Sequence, residues 1–205
     1  MTPQRSEKLL KVLQKRQANL TVVLENVQDP HNISAVMRTC DAVGIQDIYV
    51  VTTKIPRHKK WGYKSSSSAL KWLTIHKFDT IEECVKELRK KYSKILTTHL
   101  SSDAISLHDI NFTESVALVF GNEHAGVSEE FREVADGNFI IPQMGIINIS
   151  VACAVSIYEA MRQKMKAGHY EKASLPPAQM DALLQQWGFE DETPELYNSY
   201  TSKLP

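Results

Sequence analysis

Residues 115–121 read SVALVFG, and every position from Val116 to Phe120 is apolar. A strand with one wet face alternates apolar and polar residues. An unbroken apolar run needs cover on both faces, which is the situation of a central strand in a parallel sheet. The rest of the chain fits that demand. Strand-like segments at 20–27 (LTVVLENV), 46–51 (QDIYVV), 71–78 (KWLTIHKF), 94–100 (KILTTHL) and 138–143 (NFIIPQ) alternate with helical ones. The helices fall at 32–43, from an Asp79/Glu82 capping box onward, at 150–168 up to Gly168, and at about 177–187. The alternation predicts an α/β fold: a parallel sheet with helices on both faces.

The first of these helices poses a question. Ile33, Val36, Met37 and Cys40 recur at i, i+3, i+4 and i+7, the stripe that faces a core. Pro30 and Asn32 suit its start and Gly44 its stop. Arg38 lies almost opposite the stripe, flanked by Ala35 and Ala42, which are too small to shield it. Taken alone, it reads as a solvated surface arginine.

The 205 residues suffice for one sizeable core. No run of about 18 apolar residues is present, so no membrane span is predicted. Cys40, Cys84 and Cys153 are widely separated, which argues against a disulfide framework or a zinc site and fits a reducing cytoplasm. The formal net charge is zero, but its distribution is uneven. Residues 1–20 carry five Lys or Arg and one Glu, and residues 181–195 carry five acids and no base. In between, KIPRHKKWGYK (54–64) offers Lys54, Arg57, Lys59, Lys60 and Lys64 with Trp61 and Tyr63 interleaved. Bases with aromatics suit a phosphate backbone and unpaired nucleobases, although such runs are often only solvated loops.

In parallel sheets, ligands bind beyond the C-terminal strand ends. Three such ends are polar or glycine-bearing: TTHLS (97–101), FGNEHAGVS (120–128) and IPQMGIINIS (141–150). None is a G-x-G-x-x-G or a phosphate loop, which argues against a nicotinamide or nucleoside triphosphate site. Gly121 would let a ligand approach the backbone, and Glu123 places a carboxylate just past a buried strand.

Together three segments resemble the SPOUT methyltransferases, specifically the TrmH group of RNA ribose 2′-O-methyltransferases. The first holds Asn32, Ala35, Arg38, Thr39, Asp41, Ala42 and Gly44. The second is the F-G-N-E-x-x-G-V-S turn at 120–128. The third runs from Ile141, Pro142 and Gly145 through Asn148, Ser150, Val151 and Ala152 into the helix at Ile157–Ala160. One departure stands out: three residues are missing between Gly145 and Asn148 relative to the usual G-M-V-x-S-L-N-x-S-x-A. Ile147 stands for the leucine and nothing for the serine. The gap removes roughly 10 Å of extended chain from a loop that contacts the cofactor in the family.

The resemblance implies a deep C-terminal trefoil knot, a homodimer, and S-adenosyl-L-methionine as cofactor without a metal. The nearest subgroup methylates the D-loop guanosine (position 18) of tRNA. That implies a helical N-terminal extension (1–19), a methyltransferase domain (20–170) and a helical C-terminal tail (171–205). The basic segment and Arg38 would then bind tRNA. An enzyme acting on ribosomal RNA and a non-catalytic RNA-binding relative stay open as alternatives. By the same resemblance, Thr98, His99, Leu100, Gly121, Asn122, Ile141, Gly145, Ile147 and Ser150 would contact the cofactor. Arg38 would activate the ribose hydroxyl, with Asn32, Glu123 and Asn148 as local organisers. A guanidinium is effectively always protonated, so Arg38 is expected to hold an RNA phosphate and share the proton transfer with it. Asn32 could instead cap its helix, and Ser150 could cap the last long one.

Overall fold

The computed structural model describes residues 2–56, 69–189 and 195. The basic segment's Arg57, Lys59, Lys60, Trp61, Tyr63 and Lys64 lie outside the described residues, as do the four serines at 65–68. Seven strands form one parallel sheet: β1 (Leu20–Glu25), β2 (Asp47–Val51), β3 (Thr74–Phe78), β4 (Lys94–Thr98), β5 (Ile105–Ser106), β6 (Val116–Phe120) and β7 (Gly137–Ile140). Their order is β3-β2-β1-β6-β4-β7-β5. The apolar run at β6 therefore sits between β1 and β4, and all five of its residues are buried.

The helices divide between the two faces. On one, α2 (Pro30–Val43) and α6 (Ile149–Lys166) bury Ile33, Val36, Met37, Cys40, Cys153 and Ile157 over Val22, Leu118 and Phe120. On the other, α4 (Ile81–Leu88) and α5 (Glu129–Val134) bury Ile81, Cys84, Leu88 and Phe131 over Val23, Ala117 and Val119. Alternate residues of one strand point to opposite faces, so β1 and β6 serve both cores at once. The helices α1 (Pro3–Gln14) and α7 (Pro177–Gln186) share a third cluster built on Leu13, Met180, Leu184 and Trp187. Fully buried Arg16 ties that cluster to α2: its guanidinium holds the Asp41 carboxylate at 2.6 Å and the Ile45 carbonyl at 3.2 Å, and lies over Trp187.

Several boundaries move from their expected places. The segment expected as a strand at 71–78 opens as a short helix, α3 (Ala69–Trp72), and only Thr74–Phe78 joins the sheet. There Trp72 turns away to pack edge-on against Trp187. Helix α2 starts at Pro30, capped by Asp29, so Asn32 is not its cap. Helix α4 is capped by Thr80, which accepts from the Glu83 N–H, one residue past the expected Asp79. Asn148, not Ser150, caps α6, and both the Ser150 N–H and its hydroxyl donate to the asparagine oxygen. The short α5 and two-residue β5 carry no strong periodic signal and were not anticipated.

The far end of α6 is pinned by an ammonium. Lys164 is fully buried, and its Nζ donates to Asn19 Oδ1 at 2.9 Å and to the Glu114 carbonyl at 3.4 Å. Burial pulls its pKa down to about 8. Between that value and the ordinary 10.5, the unfolded chain binds more protons than the folded one, so stability rises with pH. Below about pH 8 the cost of the buried charge is fully present. Burial pushes the Cys84 thiol the other way, up to about 12, which erodes stability above its ordinary value near 9. The clean window is pH 8 to 9. Denaturant titrations there are expected to show wild type gaining about 1 kcal/mol relative to Lys164→Met. A stability difference that does not change with pH would rule the buried ammonium out as its source.

Candidate active site

At the C-terminal ends of β4, β6 and β7 the chain opens into a cavity of about 870 Å³. Its walls come from three turns. The first supplies Thr98, His99 and Leu100, and the second supplies Gly121, Asn122, Glu123 and Gly126. The third supplies Ile141 to Met144 and Ile146 to Ile149; Phe120, Phe139, Ile140 and Ala152 close the base. The cavity lies within the range of small-molecule sites, with mostly apolar walls and few polar groups.

The second turn is built by its own hydrogen bonds. Asn122 and Gly126 exchange both backbone bonds, at 3.0 and 2.9 Å. The Asn122 oxygen accepts from the N–H groups of His124 and Ala125, and its amide donates to the Asn26 carbonyl at 2.8 Å. Asn26 itself adopts a left-handed φ of 51°, a conformation asparagine tolerates better than most residues. Its oxygen accepts from the N–H groups of Thr53 and Lys54.

Glu123 joins this turn to α2. Its carboxylate accepts from the N–H of Gln28 at 2.9 Å, the N–H of Asp29 at 3.1 Å, and the side-chain amide of Asn32 at 2.9 Å. Burial raises the carboxyl pKa, but the donors, Asn32 foremost, outweigh it and hold the group below the usual carboxylate range. The first and second sequence segments thus meet through a charge-assisted hydrogen bond, and the second and third share one cavity. A family model described as the SpoU rRNA Methylase family matches residues 19–158. The chain belongs to that family.

The similarity extends to individual relatives. A tRNA (guanosine(18)-2'-O)-methyltransferase of Thermus thermophilus is 37% identical over 191 residues, 91% of this chain and 96% of that protein. Among solved structures, the TrmH/SpoU tRNA modifying enzyme of A. aeolicus superposes with a TM-score of 0.83 at 35% identity, covering 92% of this chain and 97% of that one. The SpoU methyltransferase AviRb of Streptomyces viridochromogenes, in complex with the cofactor AdoMet, superposes with a TM-score of 0.65 at 26% identity, over 77% and 65% of the two chains.

Within this family member, seven of the residues expected at the cofactor line the cavity: Thr98, His99, Leu100, Gly121, Asn122, Ile141 and Ile147. Gly145 and Ser150 do not line it. Ser150 is turned into the α6 cap, and Gly145 sits on the exposed stretch from Pro142 to Ile146. The shortened third turn still borders the cavity, through Gln143, Met144, Ile146 and Ile147. Of the expected organisers, Glu123 and Asn148 line the cavity and Asn32 stands behind Glu123. Arg38 lies on the exposed side of α2, as its phase on the helix required. Lys54 is exposed just after β2.

Gly121 also has a task within its own turn. The space where its Cβ would sit is filled by the loop's own backbone: Gly126 C and O and Val127 N lie 2.1–2.2 Å away. The glycine is needed to fold the turn back on itself. Phe120, Phe139 and Ala152 were not assigned to the cavity, because a wall made by core strands and a core-facing helix looks like core in sequence. Gly121→Ala is expected to cost more than about 3 kcal/mol in denaturant titration, or to prevent folding, because rigid backbone must move. Wild-type stability in that variant would show that the turn yields easily.

Proposed function

We propose that this protein transfers a methyl group from S-adenosyl-L-methionine to a ribose 2′-hydroxyl of tRNA, at the D-loop guanosine 18. The observation that carries this reading is the junction of Asn32 and Glu123 at the edge of the cavity, which brings the arginine-bearing helix to the turns around it. Relatives named for that reaction share more than a third of their residues with nearly the whole chain, which supports the same substrate.

The residues present fit the cofactor. Ile141, Ile147, Phe120 and Phe139 offer apolar walls for a nucleobase, and the bent-back 121–126 turn and the 98–100 backbone offer polar groups beside them. When bound, S-adenosyl-L-methionine supplies a sulfonium-activated methyl group. The protein's tasks are then to hold the acceptor hydroxyl in line and to assist departure of its proton. In this reading Arg38 grips an RNA phosphate near the reacting ribose with a planar, two-pronged hydrogen-bond pattern. Glu123 fixes the end of α2 that carries it, and the Asn148 cap holds the start of α6 beside the cavity. The basic segment 54–64 would hold the tRNA backbone. Among the described residues no group of three or more His, Cys, Asp or Glu could hold a metal, and the reading invokes none.

The same reading carries the family's trefoil knot, cytoplasmic location and homodimer. The strand order, with β7 beyond β4, and the packing of α6 on α2 support that reading of the knot. Val151, Val155 and Tyr158 form an exposed stripe along α6 near exposed Met144 and Ile146, and this apolar face supports pairing of two copies. The division into 1–19, 20–170 and 171–205 is likewise part of the proposal; the separate cluster shared by α1 and α7 supports it.

Parallel incubations of total tRNA and of ribosomal RNA with labelled S-adenosyl-L-methionine, followed by nucleotide mapping, test the substrate. Label in ribosomal RNA alone, or in none, would overturn it. Arg38→Ala tests the mechanism: single-turnover methylation is expected to fall about 10²-fold or more, with the melting temperature and cofactor affinity kept. Arg38→Lys should be impaired too, because an ammonium loses the two-pronged grip. An Arg38→Ala protein that methylates at the wild-type rate would leave this arginine a solvated surface residue.

A further inference from the structure

On the cavity wall His99 is not free to choose its tautomer. Its Nε2 lies 2.8 Å from Nη1 of Arg132, which reaches across from α5. A guanidinium only donates, so Nε2 accepts and the ring proton sits on Nδ1. The Nε of Arg132 is buried with no hydrogen-bond partner, so the arginine is not held there by a full set of structural bonds.

Of the other polar side chains of the wall, three are engaged elsewhere, the Asn148 oxygen is taken by Ser150, and Gln143 stands on the exposed rim. The Thr98 hydroxyl donates to the Val119 carbonyl, the Asn122 amide to the Asn26 carbonyl, and the Glu123 carboxylate is occupied by α2. Among the described residues that line the cavity there is no lysine or arginine. Yet the cofactor carries an amino-acid carboxylate that needs a donor and a compensating charge. We propose that His99 donates its Nδ1–H to that carboxylate, and that Arg132 is a positioning residue that locks the required tautomer and lends positive charge through the ring. Hydrogen bonds in such a chain polarise one another, so a cation one ring away strengthens the donor. The inference rests on the cavity being the S-adenosyl-L-methionine site.

Two ligands separate the carboxylate from the nucleoside. S-adenosylhomocysteine has the amino-acid end, and 5′-methylthioadenosine lacks it. Calorimetric titration of both into full-length wild type, His99→Ala, Arg132→Leu and Arg132→Lys is the test. S-adenosylhomocysteine is expected to bind about tenfold more weakly to His99→Ala and several-fold more weakly to Arg132→Leu, the usual scale for one charge-assisted hydrogen bond. Methylthioadenosine should bind all four proteins alike, and Arg132→Lys should recover part of the loss because its ammonium can still donate to Nε2. A role for either residue in folding alone would weaken both ligands together and overturn the proposal, as would unchanged binding of both. If wild type binds neither ligand, the cofactor reading of the cavity fails first and this inference falls with it.

Discussion

The Glu123 carboxylate is the joint on which the site depends. It sits at the N-terminus of α2, where three orphan or side-chain N–H groups converge on it and the helix dipole favours a negative charge. One residue thereby fixes the turn after β6 to the start of α2, elements about ninety residues apart in the chain. The cavity turn and the helix bearing Arg38 cannot drift independently. That coupling is what a transfer reaction requires, since small misplacements of a positioned group are costly.

A second coupling runs through α2 from its other end. The Asp41 carboxylate is held by buried Arg16, which also bonds the Ile45 carbonyl and lies over Trp187. The helix bearing Arg38 is therefore braced by the cavity turn at its start and by the terminal helices near its end. The motif residues thus divide their labour: Asn32 and Asp41 hold the helix, while Arg38 is left on its exposed face. The core supplies neither its stripe nor its cover, and the helix that carries it is immobilised at both ends.

Much of this was legible in the chain itself. The continuous apolar run of β6 announced a two-sided parallel sheet, and Gly44, with a φ of 87°, ends α2 where its sequence said. Caps were less legible, because Asp29, Thr80 and Asn148 compete with equally good neighbours (Asn32, Asp79 and Ser150), and backbone geometry chooses among them. Asn32 was recognisable as a special residue but not as a partner of Glu123, since nothing local links positions so far apart. Trp72 read as part of a strand by propensity, and a contact with Trp187 far along the chain overrode that.

The sequence alone determined the fold class, the polarity of the strand ends and the outward phase of Arg38. Each follows from periodicity and local turn chemistry, which act within a few residues. Only the tertiary structure decided that Gly121 is needed by its own turn, that Arg132 sets the tautomer of His99, and that Lys164 carries its charge in the interior. The first is set by how one short turn folds back on itself; the other two are distances between residues remote in the chain, which come into being only when the sheet brings their elements together.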